Sequence, residues 1–496
     1  VDGQRLTHVR NKPAIDMGET DPYLTDITQS IRNSMPYHTR VEKVRQRWLV
    51  AAGIQNSTIW GITVQKVCTN IKRKIEQYKS DPDVVLRVKV ETFIAEGRAK
   101  GFENAWLLLD HADRADDNAE HLYRHLMNNE PEINIFFLLS RSSKDWARLE
   151  TEGFKLLEYG SVEAMAAARV ADIVASSDAV EGCIYPAPRR IFGPPSYKFV
   201  FLQHGIIKDD MSRWLNGKKI DLIISSTLDE YKSFTWKNSP YEYKYYNSAM
   251  TGLARYDKLY QLVQAKTPKG TSPQTLFIMP TWRQSLRDAM QEAETETQRL
   301  QVLTGSDFYK AWWSFLESPE LQRKLESEKL KVQFMVHPGF GSMLSDVSLP
   351  KGVEFLLPSE SSFQELIVDA DLFLTDYSSL AFDCAYIGTP VAYYQFDRET
   401  MFAGGHTYRQ GYFDYYRDGL GPVFEIQQQV LDWVNDTLLS GCRNDEKYEL
   451  RRHQTYRYLD GNNCARTTEV IKSMVEGNWP LQDCDYIFTP EEISWG

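Results

Sequence analysis

The chain has 496 residues, with 57 Lys and Arg against 68 Asp and Glu, a formal net charge of −11. That balance argues against the broad basic surface on which nucleic-acid binding relies. A content of 42% hydrophobic and 25% charged residues excludes a disordered chain, and no apolar run approaches the roughly 18 residues of a membrane-spanning helix. The length suggests about three domains, or two large ones with additions. The six cysteines form no CxxC pair, so neither a zinc ribbon nor a redox motif is expected, and a reducing cytosol is the simplest compartment. The chain starts at Val1, not Met, and shows no signal segment, so it is expected to be cut from a longer polypeptide.

In chain order, the first hundred residues read as mostly helical. Val41–Val50 and Val64–Tyr78 space apolar residues at helical period between Lys and Arg, the pattern of a packed helix or of one lying on an anionic membrane. After Gly101 short apolar runs alternate with amphipathic segments. Strands are expected at Ala105–Asp110, Ile133–Ser140, Asp172–Ser176, Lys198–Gln203 and Ile220–Ser225, and helices at Asn118–Asn128, Ser161–Val170 and Asp209–Leu215. A linker with Pro268, Gly270 and Pro273 spans Gln264–Gln274. A second series follows, with strands at Thr275–Met279, Val332–His337, Val353–Leu357, Leu372–Thr375 and Val391–Tyr394, and helices at Phe308–Leu316, Ser362–Asp369 and Leu380–Ile387. Such alternation implies α/β architecture, two doubly wound parallel sheets in tandem facing a cleft. The C-terminal helices, Gln427 to Val475, are expected to pack back across it.

The residues suited to chemistry fall just after these strands. His204-Gly205 follows one strand of the first series, and His337-Pro338-Gly339 follows one of the second. A His at a strand's carboxyl end faces the cleft. The two are too far apart in sequence for a local metal motif, and no acidic cluster accompanies them, so no protein-held metal is expected. Ser378 and Ser379 open a helix, where unpaired N–H groups and two hydroxyls suit an anion. Arg283, after Thr275–Met279, and Arg409, in a Gly- and aromatic-rich stretch, are candidate phosphate forks. Two His, two Arg and a Ser-Ser helix start suit a diphosphate-containing donor, with one His as general base on an acceptor hydroxyl. Neither a Walker P-loop nor a GxGxxG is present.

Several motifs carry a family resemblance. Thr375-Asp376-Tyr377-Ser378-Ser379 with Phe382-Asp383, and Pro280-Thr281-Trp282-Arg283, are the most specific. Thr251-Gly252-Leu253-Ala254-Arg255-Tyr256-Asp257 is similar to a Gly-x-Pro-Arg-x-Asp segment, Asp116-Asp117-Asn118 to an Asp-Asn motif, and Asp460 to Arg466 to a closing helix. Together, over about Trp106 to Ile471, they resemble the CDP-glycerol glycerophosphotransferase family, the teichoic-acid polymerases, which adopt the GT-B fold. His204-Gly205-Ile206-Ile207 replaces the usual His-Gly-Thr-Pro, and Ala254 stands where Pro is usual. These departures look more like the capsule-polymerase branch of Gram-negative bacteria, whose members are often modules of larger chains.

The resemblance implies transfer of glycerol phosphate or ribitol phosphate from CDP-glycerol or CDP-ribitol to a hydroxyl of a growing oligosaccharide or lipid-linked glycan. The acceptor attacks the β-phosphate and CMP leaves. It makes His204 and His337 catalytic, sets Thr281, Arg283, Asp376, Ser378, Ser379, Asp383 and Arg409 around the donor, and puts Arg114, Asp117 and Asn118 on the acceptor side. The expected division is a helical region over 1–100, an acceptor-side domain over 101–264, a donor domain over 265–475 and a tail over 476–496. The expected place is the inner face of the cytoplasmic membrane, with peripheral contact and other capsule-assembly modules as partners. A GT-B sugar transferase or epimerase, and a non-catalytic polysaccharide-binding module, are the alternatives.

Overall fold

In the computed structural model the described residues are 80–266, 273–327 except 282, 329–335, 350–357, 362–401 and 409–480, with Arg73 and Gln77. The expected helices at Val41–Val50 and Val64–Tyr78 lie outside them almost entirely, as do Trp282 and His337. Residues 1–89 and 90–496 form two units. Of the first, little more than the start of a helix, Pro82–Ala95, is described. No helix among the described residues is long and apolar enough to cross a membrane.

The second unit holds two parallel sheets. The first has seven strands: β1 Trp106–Leu109, β2 Ile135–Leu139, β3 Leu156–Glu158, β4 Ile173–Ser176, β5 Lys198–Phe201, β6 Leu222–Ser225 and β7 Ser248–Met250. They lie in the order β3-β2-β1-β4-β5-β6-β7. The second has six: β8 Gln274–Ile278, β9 Leu330–Met335, β10 Val353–Leu356, β11 Leu372–Thr375, β12 Val391–Tyr394 and β13 Val423–Phe424. Their order, β10-β9-β8-β11-β12-β13, repeats the same winding. Every pairing is parallel, as with Leu107 opposite Val174 and Phe373 opposite Val391. Parallel sheets are covered by helices on both faces, so their strands are continuous apolar runs; β1, β4, β6, β11 and β12 are buried at every position.

Three differences from the expected elements have one cause. β3, β7 and β13 have three, three and two residues, too few to show a period, and each sits at a sheet edge. The helix expected at Asp209–Leu215 is only Ser212–Leu215, because Asp210 is drawn into an antiparallel bridge with Arg409.

The two sheets share a core. Ile206, Leu253 and Tyr256 from the first half pack with Phe373, Phe382 and Tyr386 from the second. Tyr256 stacks on Tyr386 with ring centroids 4.2 Å apart. The final helix, Asn463–Val475, returns to the first sheet, where Cys464, Val470 and Ile471 join the core of Leu122 and Leu126.

Candidate functional site

In both sheets strand order reverses between the first strand in sequence and the fourth. Ligands of such sheets bind in the crevice outside the strand carboxyl ends at this point. A buried aspartate stands at each reversal: Asp110 after β1 and Asp376 after β11.

Asp110 organises the first turn of the Asn118–Asn129 helix. Its carboxylate accepts from the backbone N–H of Asp117 (3.1 Å), Ala119 (2.7 Å) and Glu120 (3.3 Å) and from Ser177 Oγ (2.5 Å). These N–H groups have no intrahelical partner, and the helix dipole favours a negative charge there. Asp117, the N-cap, is thereby fixed. Its Oδ1 accepts from Asn118 N (2.8 Å) and Arg255 Nη1 (2.9 Å), and its Oδ2 meets His204 Nδ1.

His204 follows β5 through Gln203, which is fully buried at a φ of 66°. Residues other than glycine seldom adopt that conformation, and it persists where surrounding contacts enforce it. Here the Gln203 amide donates to the Ile224 carbonyl, and the Gln203 carbonyl accepts from Asn118 Nδ2 at 2.7 Å. Just beyond, Glu230 accepts from Ile207 N (2.6 Å) and Ser226 N (2.7 Å); burial pushes its carboxyl up to about 7. The loop so held presents the His204 side chain at 80% exposure, with Nδ1 taken by Asp117, which leaves Nε2 as the open ring nitrogen. Asp117, by its charge and by the hydrogen bond, raises the proton affinity of His204 over the opposing charges of Arg255 and Arg114. Burial would raise the Asp117 carboxyl in turn, but His204 and Arg255 hold it below its ordinary value.

The second sheet brings its own groups to this loop. A Cβ on Gly205 would stand 3.3 Å from Ser379 Oγ. Ser379 precedes the Leu380–Tyr386 helix and makes no capping hydrogen bond with its side chain, whereas Ser378 Oγ accepts from Leu380 N at 3.2 Å. The Ser379 hydroxyl expected at an anion site therefore lies beside the His204 loop. Arg409 arrives through its backbone: its carbonyl accepts from Asp210 N at 2.9 Å in an isolated antiparallel bridge, and its side chain is exposed. Gly411 completes this strap, since a Cβ there would come within 2.3 Å of the Lys208 carbonyl.

Other expected site residues are engaged within the protein. Arg283 offers no open fork to a phosphate. It is buried, with Nη2 on Asp376 (2.9 Å), Nε on Asp397 (2.6 Å) and Nη1 on the Thr281 carbonyl (2.5 Å). Asp376, fully buried, spends its carboxylate on Arg283 and on the N–H groups of Thr281 (2.7 Å) and Tyr377 (2.6 Å). Both brace the strand ends. Thr281 Oγ1 has no hydrogen-bond partner among the described residues. Asp383 is neither solvated nor open to a ribose: Arg255 Nε and Nη2 contact its Oδ1 at 2.8 and 2.6 Å. Asn118 uses its amide on Gln203 O and Arg255 N, so it supports the loop and is not open to an acceptor. Arg114 is exposed near His204. His337 lies outside the described residues. Among the described residues, no three His, Cys, Asp or Glu side chains form a metal-holding group.

Arg255 is one residue of this site to which sequence reasoning assigns no role. Its signal is its position in the Thr251–Asp257 segment, but the partners that define it lie 138 and 128 residues away. Asp110 was also missed, although a single acid ending an apolar strand was visible, as at Asp376.

The model of the family CDP-Glycerol:Poly(glycerophosphate) glycerophosphotransferase matches residues 97–473. The minor teichoic acid biosynthesis protein GgaB of Bacillus subtilis (strain 168) is 30% identical over 374 residues, 74% of this chain and 39% of that protein. The teichoic acid poly(ribitol-phosphate) polymerase of Bacillus spizizenii is 25% identical over 159 residues, 32% of this chain and 24% of that protein. The chain thus spans well under half the length of these relatives. Among solved structures, the wall teichoic acid polymerase TagF soaked with CDPG superimposes with a TM-score of 0.55 at 13% identity, covering 82% of this chain and 98% of that one; this likeness establishes the GT-B-type fold.

Proposed function

The chain belongs to the CDP-glycerol:poly(glycerophosphate) glycerophosphotransferase family, and from that premise we propose that its crevice transfers an alditol phosphate from CDP-glycerol or CDP-ribitol to a glycan hydroxyl, extending a teichoic-acid-like or capsule polymer. The observation that carries this reading is the Asp117–His204 pair standing beside the Ser378-Ser379 helix start.

Asp117 holds Nδ1 and fixes the ring, so Nε2 is the basic atom in the crevice. It takes the proton of the acceptor hydroxyl as that oxygen attacks the β-phosphate. A new phosphodiester forms, the bond to the bridging oxygen breaks, and CMP departs with the electron pair. The charge growing on the leaving phosphate is met by the Ser379 hydroxyl, by N–H groups at the helix start and by Arg409. Arg283 and Asp376 serve by fixing the strand ends from which these groups project. A cytoplasmic enzyme working at the inner membrane face, with peripheral contact and neighbouring assembly modules, fits a lipid-linked acceptor.

The test is CMP release from CDP-glycerol and from CDP-ribitol with an oligosaccharide acceptor. Acceptor-dependent CMP with chain growth is expected from one of them, and His204→Ala should abolish it while CDP binding survives. No CMP from either donor would sink the reading; loss of CDP binding in the variant would move His204 to the donor site.

A further inference from the structure

We propose that Arg255 is a positioning residue that locks the His204 base of the first sheet to the Ser379 helix of the second, with Asp383 as its anchor. This rests on the reading above and adds to it how the base and the donor helix keep their spacing.

Four contacts converge on one buried guanidinium. Nη1 donates to Asp117 Oδ1 (2.9 Å) and to the His204 carbonyl (2.7 Å). Nε and Nη2 contact Asp383 Oδ1 at 2.8 and 2.6 Å. Asp383 belongs to the Leu380–Tyr386 helix, the element that Ser379 opens. The backbone N–H of Arg255 is held by Asn118 Oδ1 at 3.0 Å, so the side chain departs from a fixed point. Tyr256, next in sequence, stacks on Tyr386 of that helix. Gly205 leaves the room: a Cβ there would lie 3.8 Å from Arg255 Nη2 and 3.3 Å from Ser379 Oγ.

The planar fork is what suits the position. A guanidinium presents donors in fixed directions and bridges two carboxylates at once, whereas an ammonium is a point charge on a flexible stem. Asp383 and Asp117 are both buried, and one cation shared between them offsets the cost of that burial. Without it, two carboxylates would repel across the sheet junction and the spacing of His204 to the helix start would loosen. Catalysis is sensitive to that spacing, since a misplacement of about 1 Å costs on the order of 100-fold. The charged groups facing His204 are Asp117, Arg255, Arg114 and Asp383, so changes at Arg255 also register in its titration.

The experiment compares Arg255→Lys, Arg255→Gln and Asp383→Asn in the full chain, using whichever CDP-alditol supports wild-type turnover. Melting curves first establish that each variant is folded. In Arg255→Lys and Asp383→Asn, kcat is expected to fall about 10–100-fold, with donor KM within about threefold, because the donor's own contacts remain. In Arg255→Gln the acid limb of the pH–rate profile should move to higher pH, since a cation beside the His204–Asp117 pair is gone; a brace acting only on the stability of the fold would lower the melting temperature and leave kcat of the folded enzyme unchanged. Should Arg255→Gln not fold, Asp383→Asn carries the same test, with the limb moving to lower pH. Unchanged kcat and an unchanged limb in any folded variant overturn the proposal. Absence of CMP release from the wild type overturns instead the transferase reading on which it rests.

Discussion

At the scale of single residues, Asp117 is the partner that defines His204. The contact from Oδ2 to Nδ1 fixes which ring nitrogen stays open, and the same carboxylate raises the ring's proton affinity. A base acts only when deprotonated, so activity should fall as pH drops through this raised value. In Asp117→Asn the amide cannot supply the charge, so the ring's proton affinity falls and the acid limb should move to lower pH. The ring is also free to turn or to adopt the wrong tautomer, and kcat should drop by about 100-fold or more. A pH–rate profile of the variant checks both. An acid limb at the wild-type position with kcat intact would show that Asp117 only caps its helix. The carboxylate's own value is depressed, so the pair should stay formed down to pH below the ordinary carboxylate range.

At the scale of elements, the strap between Asp210 and Arg409 explains why a helix expected from Asp209 begins only at Ser212. Gly411 permits it, because a side chain would press on the Lys208 carbonyl at 2.3 Å. Gly411→Ala should therefore cost about 1–3 kcal/mol of stability and expose the Asp210 amide to hydrogen exchange. An unshifted melting temperature with a protected amide would show that the strap is dispensable. The same element shows where sequence reading ends. Buried central strands such as β4, β11 and β12 were legible because a parallel sheet demands unbroken apolar runs, and so was the placement of His204 and Ser379 just beyond strand ends. The edge strands were too short to show a period. Arg283 illustrates the other limit: its local sequence reads as an open cation, yet Asp376 and Asp397, 93 and 114 residues away, neutralise it. Partner choice is a tertiary fact, and a local pattern does not encode it.

At the scale of the molecule, the two sheets are joined by more than the chain between them. Ile206, Leu253 and Tyr256 lie in one apolar cluster with Phe373, Phe382 and Tyr386, so neither half keeps its full core alone. The closing helix adds a second tie. The carboxylate of Asp257 accepts from Asn463 N and Cys464 N, each at 2.8 Å, capping the Asn463–Val475 helix that crosses back to the first sheet. Gly252, at a φ of 87°, leaves room for Asn463, whose Oδ1 would otherwise lie 2.1 Å from a Cβ. Asp257→Ala should orphan two buried N–H groups, at about 1–3 kcal/mol each. Because the core is shared, that loss should lower the melting of both sheets together, as one calorimetric transition moving to lower temperature. Asp257→Asn, which keeps one acceptor, should fall between the variant and the wild type. A split into two transitions, with only the first sheet destabilised, would mean that the halves fold independently and that the shared cluster is contact without cooperativity.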